Sequence, residues 1–489
     1  MPELVDKRTF LAGRICLTQG WYVHHTPAEV PGPGLQWRFF AGQEVGRLAR
    51  VWLGEGKYLQ RTPLDAALTA TAAALKDPAS TLLFEASFVW GGLVARADAL
   101  RRTDDGFTVI EVKSGKSSED GKVKDDFLDD IAYTACVAMN AGLPVKRASL
   151  VLMNRDYRLE GGAELLTEID VTEEVLARAT AFSADAPAIA TAAAGDARPV
   201  PSLKFACKEC DFFESDCVGK GVSDHLFILP RLSAKRFEEL RPFERISRLP
   251  PTASLTEIQQ RVVDVILSGK PRSEPAGLAI LEDVAWPVQY LDFEAVSPHV
   301  PWFEASPPYD TLPFQYSLHI RSAPGAEPEH RSYLANADGD WRRDLAERML
   351  ADLGTTGSIV VYSSYEKGRL KEMAARFPDL GSALERVIAR LWDLEKVFRD
   401  GYTHPGFKGR TSIKKVLPVM VPELSYEPLA INNGSDAAGV FGLMRVGEYA
   451  ADTHAVHRER LLEYCKLDTT AMVRLHEAAM LIRENEEME

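Results

Sequence analysis

Asp98 stands thirteen residues before the run Glu111-Val112-Lys113, and the turn Asp104-Asp105-Gly106 lies between them. The flanking segments LVARADAL (93–100) and FTVIEVK (107–113) alternate apolar and polar residues, the period of half-buried strands. Asp-Gly is a strong hairpin signal, so the two segments are expected to pair antiparallel. Strand side chains repeat every second residue, which puts Glu111 and Lys113 on one face. The hairpin folds Asp98 back beside them. Two carboxylates and an ammonium converging in this way suit a divalent cation that activates water, with the lysine near an attacked phosphate. A solvated hairpin carrying ordinary charges is the plainer alternative, and the flanking sequence has to decide between them.

With 489 residues the chain is expected to hold two or three domains. Its 46% hydrophobic and 26% charged residues are those of an ordinary globular protein. The net charge of −14 argues against a broad surface that coats nucleic acid, although a local basic groove stays open to it. The opening MPELVDKRTFL lacks a secretory apolar core and no run of about eighteen apolar residues follows. A cytoplasmic protein with no membrane partner is therefore expected. In a reducing compartment the six cysteines are not expected to form disulfides. Cys136, inside the apolar run DIAYTACVAMNAG, reads as a small core residue.

Four other cysteines suggest a metal. The segment RTFLAGRICLTQGW (8–21) reads as an amphipathic helix with Cys16 inside it, and FACKECDFFESDC (205–217) supplies Cys207, Cys210 and Cys217. Three clustered thiolates need a fourth ligand, and Cys16 is the natural candidate, tying the first helix to the end of the domain. A tetrahedral zinc site and a [4Fe–4S] cluster both fit that ligand count. Between them lie a helical run FFAGQEVGRLARVW (39–52) with Glu44, a strand-like run holding Glu85, a helix over 124–145 with Asp130 and Tyr133, and a strand over 147–154.

One N-terminal cysteine, a D…ExK hairpin and three later cysteines together resemble the PD-(D/E)XK iron–sulfur nucleases related to the AddB helicase-nuclease subunit and the CRISPR-associated four-cysteine exonucleases. The resemblance covers about residues 8–218. It implies a restriction-endonuclease-like core, a [4Fe–4S] cluster on Cys16, Cys207, Cys210 and Cys217, and a preference for DNA. It also implies Mg²⁺ or Mn²⁺ on Asp98 and Glu111, with Lys113 stabilising phosphate charge. Those families place a further ligand, often histidine, in a helix before the hairpin. Glu44 occupies that place here, and its other reading is a solvated helix face. Tyr133 matches a residue that contacts substrate or orients the lysine, with core packing as its alternative.

The last third carries a second acidic set. In YLDFEAV (290–296) Asp292 and Glu294 share one face of an apolar strand, and two buried like charges are costly unless a cation joins them. Glu366 falls where the apolar start of SIVVYSSYEKGRLKEMAARF (358–377) turns into a helix. Tyr464 and Asp468 share a face of the helical run 457–479. Cys465 between them reads as packing on another face. The pattern resembles the tyrosine-bearing DnaQ-like exonucleases of RNase H-like fold. That resemblance implies two ions held by Asp292, Glu294, Glu366 and Asp468, a water-orienting Tyr464, and 3′-to-5′ polarity. Glu366 stands where that group carries aspartate. Asp393 is a rival ligand, or a residue that supports the site from behind.

Lys408, Arg410, Lys414 and Lys415 form a local basic cluster that could attract phosphates or be plain solvated charge. The expected architecture is an α/β multidomain chain: a nuclease domain over 1–220, a helical connector over 221–284 and an exonuclease domain over 285–489. The expected function is a metal-dependent nuclease with two centres acting on single-stranded DNA ends in repair or anti-phage defence, with RNA left open. The rivals are an enzyme with one active centre and a nucleic-acid-binding scaffold built round a structural metal.

Overall fold

The structure, a computed structural model, describes residues 4–27 and 30–488. The chain divides into two compact units. One comprises residues 1–30, 38–220 and 298–310, and the other residues 31–37, 221–297 and 311–489.

The first unit is built on a six-stranded sheet of β1 (Lys57–Tyr58), β2 (Leu82–Trp90), β3 (Leu93–Thr103), β4 (Gly106–Lys116), β5 (Val145–Met153) and β6 (Leu166–Asp170), in that spatial order. The expected hairpin is β3–β4, closed by the Thr103–Gly106 pair, and Gly106 adopts φ 154° at its end. β4 and β5 pair in parallel, so the chain must cross between them through a helix, and α5 makes that crossing. Five helices matter here: α1 (Lys7–Ile15), α2 (Leu17–His25), α3 (Pro33–Leu53), α4 (Leu64–Lys76) and α5 (Asp125–Asn140). With α6 (Thr172–Ala194), α1 and α5 cover one sheet face, where Phe10 packs on Tyr133 and Phe182 at 5.0 and 5.5 Å. Val45 and Ala49 of α3 cover the other face, against Leu82, Phe84, Ala99 and Ile110. Helices on both faces account for the near-continuous apolar run of β5.

Residues 8–21 do not form the single helix expected of them. The chain breaks at Cys16, which is extended at φ −156°, ψ 121°, capping α1 and starting α2. Amphipathic periodicity continues across the break, which is why the pattern alone does not reveal it.

The second unit holds a five-stranded sheet. Its strands are β7 (Val288–Val296), β8 (Leu312–Arg321), β9 (Glu329–Leu334), β10 (Ile359–Val361) and β11 (Leu391–Asp393), in the spatial order β9-β8-β7-β10-β11. β7, β8 and β9 pair antiparallel, whereas β7, β10 and β11 pair in parallel. The helices that position its site are α7 (Tyr365–Arg376), α8 (Ile413–Met420), α9 (Gly434–Val446) and the long α10 (His454–Met488). Gln315 of β8 donates to the Leu461 carbonyl, and Ser317 bonds Thr469 at 2.7 Å, fixing α10 across the sheet. Residues 221–280 form short helical pieces, with Ala234–Leu240 and Glu257–Ser268 as the longest helices. Among the described residues no helix is long and apolar enough to cross a membrane.

Candidate active sites

The first site grows from an interruption in the sheet. The β3–β4 ladder runs back from the turn only as far as the Ala99–Ile110 pair. One step further Asp98 and Glu111 would oppose each other as like charges, which is unfavourable in an antiparallel pair. Instead the strands part, and the Asp98 carboxylate accepts a hydrogen bond from the Val112 amide at 2.8 Å. Past Val112 the β4–β5 register slips, a bulge that re-aims the residues after it. Lys113 there donates to Glu111 at 3.1 Å and pairs with Asp130 of α5. Thr134, one helical turn from Asp130, lies 3.5 Å from the other Glu111 oxygen.

Charge explains the titration of these groups. Burial and the neighbouring Glu111 charge push the Asp98 carboxyl up to about 7. Burial alone would raise Glu111 too, but the ammonium groups of Lys7 and Lys113 hold it below its ordinary value. Burial alone would lower Lys113, yet Glu111 and Asp130 hold it above the ordinary lysine range. The site therefore pairs one carboxylate kept ionised by lysines with one that is short of positive charge. A divalent cation beside that second carboxylate would supply positive charge there.

Two further residues belong to this geometry. Lys7 reaches Glu111 at 2.6 Å from the first position of α1. It is held there because Val5 bonds Gly92 and Val94 on either side and Asp6 caps the helix. Glu85 is nearly fully buried, carries φ 65° inside β2 and pairs with Arg61. Its strand neighbours Phe84 and Ala86 pair with Ala99 and Ala97, so it stands across from Asp98. Glu85 and Asp98 line a cavity of about 270 Å³ with Gln43, Arg50, Tyr58 and Arg61.

Glu44 sits elsewhere. It pairs with Arg47 at 2.8 Å, and that hydrogen bond holds its carboxyl below the usual range. The α3 residues that line the cavity are Gly42, Gln43, Gly46, Arg50 and Leu53. Tyr133 is fully buried, and its hydroxyl lies 2.9 Å from the Val94 carbonyl and 3.1 Å from that of Val5. The residue on α5 that holds the lysine is Asp130.

Cys16, Cys207, Cys210 and Cys217 all line one small cavity beside Tyr22 and Phe212, whose rings stack at 4.8 Å. Among the described residues none of the six cysteines is in a disulfide. The Lys204 amide lies 3.4 Å from the Cys207 sulfur, and burial pushes the Cys207 and Cys210 thiols up.

In the second unit, β7 carries Asp292 and Glu294 toward α10, since Asp292 pairs with Ser317 and Glu294 with Gln315, the residues that touch that helix. Asp292, Glu294 and Asp468 place one carboxylate oxygen each within 4.8 Å of the others. Glu366, in the first turn of α7, is 2% exposed, and among the described residues its Oε2 has no hydrogen-bond partner. Burial, followed by repulsion from Asp468, raises Asp292 and Glu294 well above their ordinary values. Burial chiefly raises Glu366, with Asp393 and Asp468 adding to it. Burial likewise raises Asp468, although hydrogen bonds from Tyr426 and Tyr464 oppose the rise. An orphaned buried oxygen beside three crowded carboxylates is the donor set a divalent cation requires.

Asp393 accepts from the amides of Ser363 and Glu395 at 2.9 and 3.0 Å, and so braces the turn that leads into Glu366. Cys465 does not point away from the carboxylates. It is fully buried with its sulfur 3.6 Å from Asp292 Oδ2, because α10 lies close enough over β7 for both Cys465 and Asp468 to reach the strand. Sequence reasoning missed Tyr426, whose hydroxyl donates to Asp468 Oδ1 at 2.6 Å. It lies in the irregular stretch SYEP, where no periodicity marks it.

Residues 22–215 match the PD-(D/E)XK nuclease superfamily, and residues 289–412 match a domain of unknown function (DUF2779). The chain thus carries a PD-(D/E)XK nuclease superfamily domain that contains Asp98, Glu111 and Lys113, which points to metal-dependent nuclease chemistry. The second match contains Asp292, Glu294, Glu366 and Asp393 and ends before Tyr426. Neither the curated proteins nor the solved structures include one that matches the chain.

Proposed function

We propose that the chain is a metal-dependent nuclease with two centres, both hydrolysing phosphodiesters of DNA. The observation that carries the reading is the convergence of Asp98, Glu111 and Lys113 where β3 and β4 part, inside the span that matches the PD-(D/E)XK superfamily. Asp98 and Glu111 would hold Mg²⁺ or Mn²⁺, which supplies Lewis-acid polarisation and a water of lowered pKa. Lys113, steadied by Asp130, stabilises charge that develops on the phosphate. Glu85 across the cavity is better placed than Glu44 to complete the ligand set.

For the second centre we propose a DnaQ-like exonuclease of RNase H-like fold. The strand order, with three antiparallel strands followed by two parallel ones, supports it, as do the carboxylates Asp292, Glu294, Glu366 and Asp468. Tyr464, nearly fully buried beside Asp468, would orient the attacking water. On this reading residues 1–220 are the first nuclease domain, 221–284 a connector and 285–489 the exonuclease domain.

Cys16, Cys207, Cys210 and Cys217, which line one small cavity, would hold a [4Fe–4S] cluster, with a tetrahedral zinc as the alternative.

End-labelled single- and double-stranded DNA and RNA incubated with Mg²⁺ or Mn²⁺ test the proposal. Asp292→Ala is expected to abolish shortening from the 3′ end, and unchanged 3′ shortening refutes the second assignment.

A further inference from the structure

Lys414, of the 408–415 basic cluster, lies beside the two tyrosines at Asp468. It is the second residue of α8 and is exposed to solvent. Its ammonium donates to the Asn432 carbonyl at 2.7 Å. It lies 5.4 Å from the Tyr426 ring and 5.6 Å from the Tyr464 ring, within the range of cation–π attraction. An ammonium has three donors, and among the described residues Lys414 makes no ion pair. Through those rings it stands beside the ligand cluster, since the Tyr426 hydroxyl donates to Asp468 Oδ1 at 2.6 Å. The result is a cation held near an acidic cluster by neutral groups, with donors left over and its outer side exposed.

Pure charge neutralisation would place such a lysine on a carboxylate, as Lys7 and Lys113 are placed on Glu111 in the first site. Lys414 is instead held off by two aromatic faces and a carbonyl. Both of those aromatic rings belong to the tyrosines that act on Asp468, so the lysine is positioned by the same groups that position the ligand. Its remaining donors would suit an anion bound by cations held on those carboxylates.

We infer that Lys414 contacts the substrate in the second centre, its ammonium taking a non-bridging oxygen of the bound phosphodiester. Tyr426 is a positioning residue for both Lys414 and Asp468. The inference rests on the reading of this centre as a phosphodiesterase, and it names the group that offsets substrate charge there. No proton is transferred through Lys414: it binds as ammonium and leaves as ammonium.

The test uses the full chain on a 5′-labelled single-stranded oligonucleotide with saturating Mn²⁺, in the Lys113→Ala background so that only the second centre is read. Lys414→Ala and Lys414→Gln are expected to lower kcat/KM by about 10²-fold, the scale of one lost charge-stabilising donor, with Lys414→Arg recovering much of it. The slope of log KM against log salt is expected to flatten by about 0.7, one phosphate contact on a single strand. Tyr426→Phe should lower kcat while leaving that salt slope unchanged. Lys414→Ala and Lys414→Gln at parental kcat/KM and salt slope, with Asp292→Ala inactive, overturn the role of Lys414 and leave the centre assigned. Asp292→Ala at parental activity overturns the phosphodiesterase reading and this inference with it.

Discussion

Asp98 is the residue on which the first centre turns. Burial and Glu111 push its carboxyl up to about 7, against about 3.9 in an unfolded chain. A folded carboxyl that holds its proton more tightly stabilises the fold fully below about pH 4, and that contribution is lost as pH rises through about 7. In EDTA the melting temperature is therefore expected to fall between pH 5 and pH 8, and Asp98→Asn should flatten the fall. Added Mg²⁺ should raise it more at pH 8 than at pH 6, since binding must displace fewer protons. Thermal melts across pH check this, and a Mg²⁺ effect that is larger at pH 6 contradicts it. The two lysines on Glu111 are expected to differ in effect. Lys113→Ala should cost about 10²–10³-fold in kcat, as removal of a preorganised charge stabiliser does, and Lys7→Ala should cost less because it touches only the carboxylate. Cleavage rates of the two variants decide the order.

At the scale of elements, the first site depends on a short helix tied down at both ends. Val5 bonds into the loop and strand beside β3 and places Lys7 on Glu111, while the break at Cys16 leaves that thiol beside Cys207, Cys210 and Cys217. Cys16→Ser is expected to lower bound iron and to reduce first-centre cleavage together, while 3′ shortening by the second centre persists. Metal analysis and visible absorbance of anaerobically purified protein, read beside the cleavage assay, check it. The β3–β4 hairpin was legible in the sequence because its signals are local: alternation, an Asp-Gly turn and side chains two apart. The break at Cys16 was not, because a one-residue change of backbone leaves the helical period intact on both sides. The left-handed backbone at Glu85 and the bulge after Val112 were hidden for a related reason. Both arise where the sheet must keep carboxylates from stacking, which is a constraint between strands.

Across the whole molecule, the second acidic set was legible wherever spacing carried it. Asp292 and Glu294 are two apart on a strand, and Tyr464 and Asp468 four apart on a helix. Glu366 could be placed because it follows an apolar strand directly. Tyr426, Lys7 and Arg61 reach their partners from segments with no motif, so only tertiary packing reveals them. Glu44 followed a positional analogy to a helix whose cavity-lining residues are its neighbours Gly42 and Gln43. If each unit carries its own centre, losses at the two should be separable. The most direct test is one gel: end-labelled single-stranded DNA with Mn²⁺, cut by the unmodified protein, Lys113→Ala, Asp292→Ala and the double variant. Two centres predict that each single variant loses a different part of the product pattern and that the double variant leaves the DNA intact. A double variant that cuts like the unmodified protein contradicts the account.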